Sequence, residues 1–398
     1  MKKTSFRKKG MSSFASSLIA IIVGLAAGLV ILFVSNPQNA VRGLGVILAG
    51  GFNNGMKGLG EVLYYATPII VTGLSVGFAF KTGLFNIGVV GQLMVGGFAA
   101  VVVGVAGDFF GPAQWLAALV CGILAGAVWG MLPGLFKAFL NVNEVISSIM
   151  MNYIGMYGIN YLIKNLMYFD AGRGRNVLLV YDKMRNLTVN VDQAAVIPSW
   201  GLTDIFYTMV GEYKDSSSVN GGILIAVFLA IVMYVVLNRT TFGYELKACG
   251  HNRNASRYAG INEKRSIVLS MAIAGALAGA AGGLMYLAPP QGLHLRVEEI
   301  LAVQGFNGIP VALLGLSNPI GIIFSGLFVA YITVGGSFLQ SLKYMKEIID
   351  IIIGTIIYFS AFSLFVKDML GRLSGRHKHR DDAKASPDVG DLKEGGQV

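Results

Sequence analysis

Apolar residues in this chain run in long blocks, and the polar residues between them gather into short punctuating segments. A helix needs about 17–25 mostly apolar residues to cross the hydrocarbon core of a bilayer, where its backbone bonds close internally. Ten segments fit that pattern: 14–34, 62–80, 84–106, 113–136, 142–163, 222–237, 266–287, 300–316, 319–336 and 347–366. The eighth and ninth are parted only by Ser317, Asn318 and Pro319. The first is longer than the roughly 7–15 apolar residues of a secretory signal, so it reads as a retained anchor. Residues 35–61, with Lys57 and several glycines, suit either an outer amphipathic helix or a simple loop. The pattern predicts an all-α, polytopic membrane protein of about ten transmembrane helices.

Composition excludes the alternatives. Of 398 residues, 54% are hydrophobic and 13% charged, about half the charged fraction of a soluble domain. Disorder requires the opposite balance. The 53 glycines follow no G-X-Y period, which removes collagen and suits close helix packing in lipid. The net charge of +10 sits mostly at 2–9 and 367–380. Basic clusters flanking membrane spans read as cytoplasmic anchors near anionic lipid, not as a nucleic-acid face. With the N-terminus inside, most Lys and Arg fall in cytoplasmic segments, so both termini are predicted cytoplasmic. Three regions follow: a basic cytoplasmic tail at 1–13, a transmembrane domain at 14–366, and a charged tail at 367–398 whose composition predicts disorder. Cys121 and Cys249 give neither a disulfide framework nor a metal spacing.

Polar groups inside apolar segments need a reason, because an unsatisfied polar group in hydrocarbon is costly. The run 81–92 puts Gly83, Gly88 and Gly91 beside Asn86 and Gln92 at the start of a span. Such glycines permit a broken helix that lines a cavity; they equally suit a tight turn into an ordinary helix. At 141–153, Asn143 can cap a helix and Glu144 favours its positive end, so a well-made N-terminus accounts for Glu144. Asn152 and Tyr153, two turns deeper, are the better cavity candidates. A second break, Gln304-Gly305-Phe306-Asn307-Gly308-Ile309-Pro310, lies five spans after the first. Phe85-Asn86 and Phe306-Asn307 then fall in matching places of two inverted repeats, spans 2–5 and 7–10. Glu347 and Asp350 open the last span and read as helix-start carboxylates more readily than as a proton relay.

The inner connector 238–265 is short and strongly polar. Asn252 can cap a short helix and Gly260 can end it, with Ala255, Tyr258 and Ala259 forming a weakly apolar face between them. Such a helix wants a protein groove or the lipid interface; a solvated connector is the plainer alternative. The chain lacks a G-x-x-x-x-G-K-[ST] loop and any Gly-Lys dipeptide, so it supplies no P-loop of its own. The four histidines, at 251, 294, 377 and 379, form no catalytic or metal constellation with their neighbours.

Three motifs carry a resemblance. Residues 82–92, Thr-Gly-Leu-Phe-Asn-Ile-Gly-Val-Val-Gly-Gln, resemble the FNIG-x-x-GQ signature of ABC-transporter permeases of the branched-chain amino-acid, ribose and nucleoside class. Asn143-Glu144-Val145-Ile146 through Asn152-Tyr153 is similar to the family's NEVI…LNY segment. Gly243-Tyr244-Glu245-Leu246 through Gly250, Asn252, Ala255, Tyr258, Gly260 and Ile261 resembles its cytoplasmic docking loop. Val90 departs from the pattern, which usually has Glu there. The resemblance is closest to the nucleoside branch and implies a transport subunit that is not itself an enzyme, in a multi-pass plasma-membrane location. It further implies a cytoplasmic ATPase that consumes the ATP, a second permease, an extracellular substrate-binding lipoprotein and a nucleoside substrate. No cofactor or metal is expected on this chain. Asn86, Gln92, Asn152, Tyr153 and Asn307 are the expected substrate-pathway residues. Glu245, Gly250, Asn252, Arg257 and Gly260 are the expected ATPase-coupling residues. Simple sugars, branched-chain amino acids, or proton-coupled secondary transport are the alternatives.

Overall fold

A computed structural model describes residues 2–165, 167–170, 175–178, 193–288, 295, 299–360, 362, 365 and 369. Helix α1 (Lys2–Ser35) is continuous through the basic 1–13 segment and the first apolar block. The 35–61 region is helical: α2 (Ala40–Ala49) turns Ala40, Gly43 and Ile47 inward and leaves Val41 and Leu48 exposed. A 3₁₀ turn (Gly50–Asn54) then leads into α3 (Gly55–Lys81). The following elements are α4 (Val89–Ala106), α5 (Gln114–Leu140), α6 (Glu144–Asn165), α7 (Gly222–Arg239), α8 (Thr241–His251), α9 (Arg253–Tyr258), α10 (Glu263–Tyr286), α11 (Val303–Leu314), α12 (Pro319–Ser337) and α13 (Lys346–Ser360).

Two predicted spans change on inspection. The third starts at Val89 instead of 84, because 84–88 belongs to an irregular segment. The eighth, predicted at 300–316, shrinks to the 12-residue α11. At 1.5 Å per residue that covers about 18 Å, short of a roughly 30 Å hydrocarbon core. Pro319 opens α12 and Asn318 caps it, its Oδ1 accepting from Ile320 N at 3.0 Å, so the chain cannot run on as one helix. Segment 164–221 also carries strands that the apolar pattern did not predict. Met167–Asp170 pairs antiparallel with Arg175–Leu178, and Tyr207–Val210 with Tyr213–Ser216.

Helices α3 and α10 are the most buried of the long apolar helices, while α1, α5 and α7 keep most of their surface outside the bundle. Small residues let backbones approach closely where no hydrophobic effect drives helices together in lipid. A Cβ on Gly279 of α10 would collide with the carbonyl of Gly122 on α5, and one on Gly282 with that of Leu93 on α4. The packing partners exchange when α3–α6 are swapped with α10–α13. Thus α10 packs on α4 and α5, as α3 packs on α11 and α12; α6 packs on α4 and α5, as α13 packs on α11 and α12. Contacts α3–α10 and α4–α11 map onto themselves. That is the pattern a pseudo-two-fold through the centre of the bundle produces.

The two ends of α3 meet different loops. Near its start, Lys57 pairs with Asp215 at 2.6 Å and Glu61 accepts from Ser218 N at 2.8 Å. Its far end touches the connector that holds α8 and α9. About 40 Å of helix separates the two, so residues 215–218 and the connector 238–265 lie at opposite ends of the bundle.

Candidate translocation and coupling site

Between α3 and α4 the chain leaves helical geometry for residues 82–88, with Gly83 at φ +74°. Three side-chain amides hold this break closed. Asn86 Nδ2 donates to Gln92 Oε1 at 2.8 Å and to Ser75 Oγ at 3.1 Å, and Gln92 Nε2 donates back to Asn86 Oδ1 at 3.0 Å. Ser75 Oγ in turn donates to the Ala274 carbonyl of α10 at 2.6 Å. From α6, Asn152 Oδ1 accepts from Gly91 N at 2.8 Å and its Nδ2 donates to the Ile87 carbonyl at 3.1 Å. Thr82 adds a hydroxyl contact to Ser270. Asn86, Gln92 and Asn152 are all buried. The predicted pathway residues of this region thus come together, but they face one another and the backbone in place of an open passage.

Tyr153 is different. It turns away from the clasp and is 46% exposed; Tyr157, one turn further along the same face of α6, is 53% exposed. The four-residue spacing of Tyr153, Tyr157 and Tyr161 was the readable signal for this tyrosine face, and sequence reasoning used only its first member. Glu144 behaves as the helix-start reading expected: Asn143 Oδ1 accepts from Val145 N at 2.8 Å, and Glu144 pairs with Lys137 at 2.9 Å.

The second predicted break is not one: residues 304–310 are helical, because α11 runs Val303–Leu314 through Gly305, Asn307 and Pro310, and glycine and proline are tolerated in a membrane helix whose neighbours pack against it. A Cβ on Gly305 would lie 2.9 Å from Val90 Cα, so the first turns of α11 and α4 touch at this seam. Val90, the position where the resemblance leads one to expect Glu, is fully buried there. Thr72 Oγ1 of α3 donates to the Gln304 carbonyl at 3.2 Å. One residue past Phe306, Asn307 borders a cleft of about 610 Å³ between α11 and α13, shared with Phe306, Pro310, Tyr358, Phe362 and Phe365. No partner for the Asn307 amide is seen among the described residues.

The connector forms two capped helices. Thr240 Oγ1 accepts from Gly243 N at 3.1 Å to start α8, which sequence reasoning missed although Phe242, Leu246 and Cys249 recur at helical spacing. Asn252 Oδ1 accepts from Ala255 N at 3.0 Å to start α9, as its capping chemistry predicted, and Gly260 follows at φ +82°. Leu246 and Cys249 point inward, whereas Glu245, Asn252, Arg257 and Gly260 are exposed and Tyr258 is 95% exposed. At the inner end of α8, Gly250 sits directly on the first break. A Cβ there would lie 2.5 Å from the Thr82 carbonyl carbon and 2.6 Å from Gly83 N. Glu245, Asn252, Arg257 and Gly260 therefore share an outward surface, while Gly250 is the inward contact.

An all-α bundle whose two halves exchange packing partners, with a break before α4 on which a helical connector sits and a cleft beside α11, is the architecture of a membrane permease. Residues 58–361 match the family described as branched-chain amino acid transport system / permease component, and the chain belongs to that family. It is a multi-pass membrane protein and a transport component, not an enzyme. It is 37% identical to the guanosine ABC transporter permease protein NupP of Bacillus subtilis (strain 168), over 92% of this chain and 98% of that one. It is 32% identical to the nucleoside ABC transporter permease protein NupB of Lactococcus lactis, over 89% and 92%. The glucose ABC transporter permease protein TsgB13 of Haloferax volcanii is 30% identical over 89% of each chain. No solved structure matches.

Proposed function

We propose that this chain is one permease subunit of an ATP-driven importer that carries nucleosides across the plasma membrane. Ten crossings with both termini cytoplasmic complete the proposal, the eighth made of the irregular residues 299–302 together with the short α11. A second permease forms a heterodimer with it, a cytoplasmic ABC ATPase binds the surface of α8 and α9, and a lipoprotein delivers substrate at the 164–221 side. The chain itself holds no cofactor; ATP is used by the ATPase. The observation that carries this reading is the backbone contact of Gly250 with Thr82 and Gly83. It joins a connector whose outer face is exposed to a break clasped by buried amides. Displacing α8 moves the first break, the clasp on α4 and α6, and through Val90 and Gly305 the start of α11. Two arrangements of these elements, biased by the ATPase, are what alternating access requires.

Nucleosides are favoured over simple sugars because the two relatives with the higher identities are named for nucleosides. The glucose permease keeps the sugar reading as the alternative. Proton coupling lacks a carboxylate at depth: among the described residues of the long helices, acids such as Glu61, Glu144, Glu263, Glu347 and Asp350 sit near helix starts. The test is reconstitution of both permeases, ATPase and lipoprotein in proteoliposomes. ATP should drive accumulation of labelled guanosine, competed by other nucleosides and not by ribose or leucine. Accumulation by this chain alone, without a nucleotide-hydrolysing partner, would overturn the reading.

A further inference from the structure

We propose that the cleft between α11 and α13 is a recognition subsite for the heteroaromatic base of the transported nucleoside; this rests on the nucleoside reading above. The volume, about 610 Å³, falls in the range of small-molecule sites, which are mostly apolar with a few placed polar groups. The lining has that composition. Phe306 comes from α11, while Tyr358, Phe362 and Phe365 come from α13 and the residues just beyond it. Tyr358 and Phe362 already stand edge to face, 5.1 Å between ring centroids. Flat rings bind by offset stacking and edge-to-face contact, so several rings on one cleft fit a planar base better than a bare sugar.

Asn307 supplies the polar element. Its amide offers a donor and an acceptor side by side, the combination that reads a base edge through two hydrogen bonds. The buried amides Asn86, Gln92 and Asn152 are paired. Asn307 has no such partner among the described residues. An amide held at the border of an apolar cleft is costly against hydrocarbon, which argues against a lipid acyl chain as the intended occupant. Gly354 lines the cleft, and a Cβ there would meet nothing within 4 Å. Phe306 of the lining follows Gly305, the residue of α11 that packs on Val90 of α4.

The experiment uses the complete assembly in proteoliposomes with 8-azidoguanosine as photoprobe and peptide mapping of the label. Light should attach the probe to segments 303–314 and 346–365, with protection by excess guanosine and none by ribose. Asn307→Ala should cut the protectable label roughly tenfold, the scale of one lost bidentate amide–base contact. Gly354→Leu should abolish it by filling the cleft, whereas Gly354→Ala should leave most of it. Co-purification of the ATPase with each variant reports that it is folded and assembled. Guanosine uptake in the wild type with label elsewhere, with label that guanosine does not displace, or with label undiminished in both Asn307→Ala and Gly354→Leu would overturn the subsite and spare the nucleoside reading. Absence of ATP-driven nucleoside uptake in the wild type would instead remove the reading on which the subsite rests.

Discussion

Two Phe-Asn pairs in this bundle, each near a glycine, do opposite things. Phe85-Asn86 lies in the break before α4 and Phe306-Asn307 in the first turn and a half of α11, helices that pack against each other. At the first, Asn86 is buried and spends its amide on Gln92 and Ser75. At the second, Asn307 is part-exposed and borders a cleft. The difference comes from what lies opposite. Around Asn86 the neighbouring helices offer Ser75, Gln92 and, one turn away, Asn152; around Asn307 they offer aromatic rings. A polar residue in a membrane span is thus ambiguous until its neighbours are known: with amide neighbours it locks the fold, and with aromatic neighbours it waits for a ligand.

The largest effect should come from the contact that ties the connector to the locked break. Gly250→Ala places a methyl group against backbone atoms of Thr82 and Gly83, and backbone cannot rotate aside as a flexible side chain would. ATP-driven uptake by the assembled importer should fall at least about tenfold, on the scale of 1–3 kcal/mol of overpacking expressed in the transport cycle. Gly158→Ala on α6, where a Cβ meets nothing within 4 Å, is the control and should transport normally. Equal uptake by the two variants would show that the Gly250 contact transmits nothing.

The comparison itself is tested by truncating both asparagines and measuring thermal unfolding of the purified protein in detergent. Asn86→Ala leaves the Gln92 amide buried without its reciprocal partner, a loss of about 2 kcal/mol. Asn307→Ala removes no intramolecular hydrogen bond seen among the described residues and should cost under about 0.5 kcal/mol. Similar shifts for the two would erase the distinction between lock and site.

Most of the architecture was legible because lipid simplifies the code: a long apolar block is a helix, and its ends are marked by caps such as Asn143, Asn252 and Asn318. The short α11 was less legible, since the irregular residues on either side of it, 300–302 and 315–316, are as apolar as the helix between them. Hydropathy averages over such residues. The hairpins of the outer segment were missed for a related reason, because four-residue strands carry too little alternation to stand out. Within the candidate site, residue type pointed to Asn86, Gln92, Asn152 and Asn307 alike. Only the contacts separate them, since Ser75 and Ala274 come from helices distant in sequence. The weight of Gly250 was likewise hidden, for a glycine's role lies in what presses against it.

The smallest expected effect probes how complete the lock is. Ser148 on α6 is fully buried beside Gly88, with its Cβ 3.2 Å from where a Gly88 Cβ would stand, and its Oγ has no hydrogen-bond partner among the described residues. A buried hydroxyl without a partner contributes its desolvation cost and no compensating bond. Ser148→Ala keeps the backbone and the Cβ and removes only that oxygen. If the lock consists of the Asn86–Gln92 pair and Asn152 alone, this variant should unfold within about 0.5 kcal/mol of the wild type, or slightly above it. A loss approaching that of Asn86→Ala would mean that Ser148 belongs to the polar network in the membrane-embedded protein. The first break would then be held by four side chains of α4, α6 and the break itself, and its contrast with the open cleft at Asn307 would be sharper than the contacts already place it.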